Sequence, residues 1–303
     1  VNMSMNGPQY PATMVLVTTI AMSISILALL PYFVYVVGFL SPTQIVRQIQ
    51  NRCLHHIQLG AKKSPVARDY PQPLLHRIEQ LGDLALNSAF KKDKAIAIAA
   101  LNALGSIVDK TLEEKENLPT VWHASAERIA ADTDFIAFHP EMVKVLIERR
   151  TLLEMKVCRQ YHTVFHSSLL TMRDLCHVVA IQTRNQGIKA AKLNQPHSVN
   201  LSLRFLNTFS RAAINKRDVR TAYNLFNEYR VLGHQLAELR QPEMLLVVAG
   251  HLKFYGQLAF TEKLPFILEA AAYDICTLLE YMADVGSEGH DDLLTLFLDV
   301  DRE

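Results

Sequence analysis

Cys158, His162 and His166 recur at intervals of four residues, which sets a thiol and two imidazoles on one face of a helix. Asp174, Cys176 and His177 follow two to three turns later. Thiolate and imidazole are zinc ligands, and a structural zinc takes four of them in a tetrahedron. One helix offers two adjacent ligands, and no second ligand motif supplies the others. Met155, Tyr161 and Phe165 lie among these positions, which is the pattern of interhelix packing. Cys158, His162 and His166 are therefore the metal candidates to test, while packing is the expected role. No metal, cofactor or catalytic residue is assigned.

Other polar groups have similarly plain readings. His55-His56 could titrate near neutral pH and is expected on a basic helix at a membrane surface. Glu113-Glu114-Lys115-Glu116 reads as a solvated helix end. Asp291-Asp292 suits the start of a last helix, because acids favour helix N-termini. The single tryptophan, Trp122, reads as a packing anchor. Cys53, Cys158, Cys176 and Cys276 form no CxxC pair and are expected to be free thiols. The phosphate-binding loops, the nucleophile elbow, the HExxH zinc motif and the calcium loop are all missing, so the expectation is not an enzyme.

The elements that would hold these residues begin with an uncharged segment. The first 46 residues contain no Asp, Glu, Lys or Arg. A bilayer core about 30 Å thick needs about 20 apolar residues in a helix. Met14 to Val37 contains thirteen Leu, Ile, Val or Phe. These favour insertion by about 4 to 8 kcal/mol in sum. Thr18, Thr19, Ser23 and Ser25 can bond back to the helix or to a neighbour. Pro31 should kink it, and Tyr10, Tyr32 and Tyr35 suit the interfaces. Arg47, Arg52, Lys62, Lys63 and Arg68 then arrive before the first acid, Asp69.

By the positive-inside rule this cluster places the bulk of the chain in the cytoplasm and the N-terminus outside. The five cations would contact anionic head groups, each contributing on the order of 1 kcal/mol. They account for +5 of a net charge of +1, so the remainder carries −4. A nucleic-acid protein would spread a basic face over a whole domain, so no nucleic-acid partner is expected. The chain begins with Val1, which leaves room for further spanning helices upstream.

The expected organisation is an extracytoplasmic segment 1–11, a transmembrane helix 12–40, a juxtamembrane amphipathic helix 41–59, a linker 60–73 and a cytoplasmic all-helical domain 74–303. From Leu74 onward the apolar periodicity is helical throughout. Helices are expected over 74–89, 94–112, 120–131 and 140–186. The last would reach about 70 Å if straight, with a break between Gln160 and Ser168 as the alternative. Two stretches, Leu84 to Asp93 and Phe209 to Asp218, each run an apolar helix into a basic pair and an Asp. Each Asp is placed to cap the following helix. A looser third copy spans Leu278 to Leu298. The fold class is therefore all-α, either an irregular helical bundle or a tetratricopeptide-like array of helical hairpins.

Tyr32-Phe33-Val34-Tyr35, the following proline and Gln44-Ile45-Val46, with Leu81 to Asn87 and the Ala-rich helix Ala95 to Ile107, carry a resemblance. Over residues 12 to 110 the chain resembles an uncharacterised family of bacterial predicted membrane proteins with several N-terminal transmembrane helices. It departs from that family at Ala89 to Asp93, where a Ser-Pro-Gly-like stretch is usual, and in showing no β-rich segment. The resemblance implies a bacterial inner membrane and transfers no activity. Three readings follow. The first is a membrane-anchored helical scaffold with protein partners or further copies of itself. The second is a subunit of an oligomeric channel or transporter. The third is a membrane-bound metalloenzyme using Cys158, His162 and His166.

Overall fold

The structure, a computed structural model, describes residues 12–67, 69, 71–286 and 289–299. The expected segment 1–11 with Tyr10, the side chain of Tyr35, and Arg68 lie outside the described residues. Among the described residues every regular element is a helix and none is a strand. The chain divides into two compact units, residues 1–45 and 46–303.

The first unit contains α1 (Ala12–Leu40), which runs through Pro31. It is long and apolar enough to cross a membrane, and nothing within Thr13–Phe33 is buried. Its hydroxyls bond back to the helix. Thr18 Oγ1 donates to the Met14 carbonyl (2.9 Å), Thr19 to Val15 (2.8 Å), Ser23 to Thr19 (2.9 Å) and Ser25 to Ala21 (2.9 Å). No polar group of these side chains is left needing a partner, which suits an apolar solvent.

The second unit begins within α2 (Pro42–Ala61) and continues through α3 (Gln72–Phe90), α4 (Lys94–Glu114), α5 (Val121–Ala124), α6 (Ala126–Ala130), α7 (Pro140–Glu148) and α8 (Leu152–Thr171). It ends with α9 (Arg173–Lys192), α10 (Pro196–Asn215), α11 (Val219–Glu238), α12 (Pro242–Thr261), α13 (Pro265–Val285) and α14 (His290–Leu298). Eight of these helices form two rows. In one row α4 touches α9, α9 touches α11, and α11 touches α13; in the other, α3, α8, α10 and α12 touch in turn. Each hairpin ties one row to the other. The core runs between the rows, through Leu74, Leu81, Leu104, Val157, Leu206, Leu232 and Leu252, all fully buried. Each such side chain contributes about 1.5–3 kcal/mol. α4 also has the length and composition of a membrane span, but 56% of its apolar window is buried inside this core.

Both expected caps form. Asp93 Oδ1 accepts from the Ile96 amide and Asp218 Oδ1 from the Thr221 amide, each at 3.2 Å. The helix ends share a second device. Asn194, Arg217, Arg240, Lys263 and Gly286 recur every 23 residues and all take the left-handed conformation, with φ between 53° and 62°. After each of the first four, the next amide bonds a carbonyl five residues back, as Gln241 does to Leu236 (2.9 Å) and Leu264 to Ala259 (2.8 Å). This is the Schellman closure of a helix.

Four sequence expectations need correction. Residues 140–186 do not form one rod, nor break at 160–168. The helix stops at Arg149, where Arg150 turns left-handed (φ 50°) and the Thr151 amide bonds Leu146, and again at Met172. Residues 120–131 form two short helices that part at Ser125. The expected linker 60–73 is tied down: α2 continues to Ala61, a 3₁₀ turn covers Pro65–Ala67, and the buried Trp122 indole donates to the Ala67 carbonyl (2.9 Å). The amphipathic helix is present, but Val46, Cys53 and Ile57 on its apolar face are buried in the second unit's core rather than left for lipid.

Candidate functional site

Three helix starts define a charged cleft among the described residues. Lys94 is the first residue of α4, Arg173 the first of α9, and Arg220 the second of α11. The row order sets α9 between α4 and α11, so the three first turns converge. The Asp caps fix where α4 and α11 begin, and α9 starts directly after Met172. The resulting cleft has a volume of about 380 Å³. Ile98 and Val178 supply its apolar lining, and His177, Thr221 and Asn224 complete it.

One carboxylate holds the cations together. Asp174 Oδ2 lies 2.6 Å from Lys94 Nζ, and its Oδ1 lies 3.6 Å from Arg220 Nη2. The Lys94 hydrogen bond and charge hold the Asp174 carboxyl below its usual range. Arg173 turns to the Asp218 cap instead, Nε to Oδ2 at 3.2 Å. All four side chains of the cleft remain accessible: Lys94 51%, Asp174 46%, Arg173 64% and Arg220 74% exposed. Deeper along the row, the buried Glu228 pairs with Arg184 at 2.8 Å, and Arg230 with Asp274 at 3.1 Å. The lining thus carries three cations and one carboxylate on an apolar bed, with Arg173 already paired to Asp218.

The sequence-derived metal candidates do not converge. Cys158 is fully buried, with Sγ donating to Gln186 Oε1 at 3.4 Å, and burial pushes its thiol far up. His162 and His166 pack ring against ring, centroids 4.3 Å apart, with His162 edge-on to Phe205. Burial lowers both imidazoles, His162 to about 4. Among the described residues, the group that does bring three ligand atoms within 4.8 Å is Glu79, Asp132 and Asp134. Its centre is held by the Lys156 ammonium, 2.6, 2.6 and 2.8 Å from those carboxylates and wholly buried. Lys156 is thereby the cation of a structural knot joining α3, α8 and the 131–139 segment. Burial lowers its pKa, but the hydrogen bonds it donates to the carboxylates outweigh that and leave it raised.

Arg47, Arg52, Lys62 and Lys63 are exposed, as a surface role requires. At the expected solvated end 113–116, Glu113 and Glu116 are exposed and Glu114 half-buried, but Lys115 turns inward. Lys115 is buried and donates to Glu154 Oε1 (2.6 Å) and Ser198 Oγ (2.9 Å). His56 stacks on Trp122, centroids 5.5 Å apart. Sequence reasoning missed the cleft, although the two matched turns did carry its signal: a basic pair, an Asp cap, then Lys94 or Arg220 just beyond it. No family model, curated protein or solved structure matches the chain.

Proposed function

We propose that the chain is a membrane-tethered interaction protein, with α1 in the bilayer and the two-row helical array presenting a docking face on the cytoplasmic side. The observation that carries this reading is the contrast between α1 and every other long helix. α1 is apolar along its length yet buries nothing within Thr13–Phe33, whereas α4, of similar composition, is taken up by the core. Self-satisfied hydroxyls along α1 support a lipid-facing anchor over a pore lining, because a pore would use them on water or ions. The accessible cations Arg47, Arg52, Lys62 and Lys63 follow the anchor and support the inward orientation. The evenly spaced left-handed turns and the row-by-row contacts support a tetratricopeptide-like hairpin array over an irregular bundle. Such arrays hold partners along extended faces rather than at a catalytic centre.

Membrane extraction tests the reading. The full chain should stay with membranes through alkaline carbonate and high salt, and leave them only with detergent. Release by carbonate alone would sink the anchor. Protease added to inside-out vesicles should degrade the second unit, while right-side-out vesicles should protect it.

A further inference from the structure

We propose that the cleft between the first turns of α4, α9 and α11 docks an acidic protein segment, whose carboxylate takes over Lys94 and Arg220 from Asp174. The inference rests on the interaction-protein reading and is independent of the anchor.

Lys94 and Arg220 come from two helices separated by α9, yet both point at one carboxylate. Among the described residues, neither has another ion-pair partner. Asp174 offers one oxygen to each, which is how an incoming Glu or Asp side chain, or a chain-terminal carboxylate, would divide itself. The Asp174 contact is about half accessible to water, so exchanging it for a ligand carboxylate requires little opening of the fold. Exposed pairs of this kind add little to stability, so a ligand carboxylate can displace Asp174 with little loss to the fold. Arg173, held to the side by Asp218, supplies a third positive charge at the rim.

The shape favours a peptide. A concave space of about 380 Å³ admits two or three side chains, and Ile98 and Val178 give it an apolar bed for a residue beside the acid. A flat bilayer surface cannot enter such a space. A nucleic acid would need cations continued along a phosphate spacing, and the cleft has three. Asn224 adds a polar side chain to the lining.

Binding of a synthetic Glu-Leu-Glu-Gly repeat peptide to the full chain in detergent micelles, followed by fluorescence anisotropy, tests this. Saturable binding that weakens with salt is expected, with none for the Gln-Leu-Gln-Gly counterpart. The double variant Lys94→Gln/Arg220→Gln should weaken binding about tenfold or more. Asp174→Asn should tighten it several-fold by removing the competing carboxylate. The three residues are exposed, and an unchanged circular dichroism melt confirms that each variant folds. Equal binding by the double variant, or weaker binding by Asp174→Asn, overturns the proposal. So does capture of anionic vesicles or single-stranded DNA through Lys94 and Arg220 with no peptide binding. Because the assay is run in detergent, failure of the cleft and failure of the anchor are read separately.

Discussion

His123 is buried to 97% and neither ring nitrogen has a hydrogen-bond partner among the described residues. Burial pushes its imidazole down to about 4, with Glu154 opposing it and Lys115 and Arg150 adding to it. A histidine depressed in the folded state stabilises above its unfolded pKa of about 6.5, and that contribution is lost as pH falls toward 4. The loss is on the order of 3 kcal/mol over that window. Thermal melts of the wild type should therefore fall more steeply between pH 6.5 and 4 than those of His123→Leu; parallel curves would refute the assignment. Trp122 next to it was legible as a packing anchor, since a lone tryptophan usually fills a core. His123 was not, because nothing local marks an imidazole for burial. The same limit hid Lys156, whose three carboxylates come from residues 79, 132 and 134, two separate stretches of chain. Lysine at a helical position reads as solvent-facing until the stretches that cover it are known.

At the level of elements, caps were readable and interruptions were not. Asp93 and Asp218 announce helix starts because a short carboxylate can reach the free amides of the first turn. The stop at Arg149–Thr151 has no glycine or proline, and a left-handed arginine leaves no mark in composition. The amphipathic character of α2 was legible as well. Its destination was not, since Trp122, which covers His56 and Gly60, lies far along the chain. Gly60 is required there: a Cβ would stand 2.7 Å from the indole ring. The recurring turns offer a gain in stability. A non-glycine residue in the left-handed region carries a steric cost of roughly 1–2 kcal/mol. Arg240→Gly should recover about 0.5–1 kcal/mol of this after the extra freedom of the unfolded chain is counted. Urea titration of the two proteins measures the difference, and a lower midpoint for the variant would contradict the turn geometry.

Over the whole molecule, the division into two units sets the order of events. Residues 46–303 enclose their own core. The chain from Ser41 onward, produced without α1, is expected to remain soluble and helical and to unfold in one cooperative transition. Aggregation with little helix by circular dichroism would show that the anchor is needed for folding. Amide exchange should be fastest in α14, which touches only α12 and α13, and slowest where α4, α8 and α9 meet. The all-helical class was legible because the 3.6-residue period persists from Leu74 to the end. The order of the rows was not, because it depends on contacts between every second helix.

The 23-residue interval between left-handed turns imposes a parity on this chain. From α8 to α13, consecutive helices alternate between rows. Loss or gain of one interval would send every later helix to the wrong row and present its polar face to the core. Loss or gain of two intervals restores the row, and needs only one new junction to be repacked. Natural length variation in proteins built this way should come in even numbers of helices. Homologues that differ in length between α4 and α11 would keep Lys94, Asp174 and Arg220 in one row only if they obey that rule.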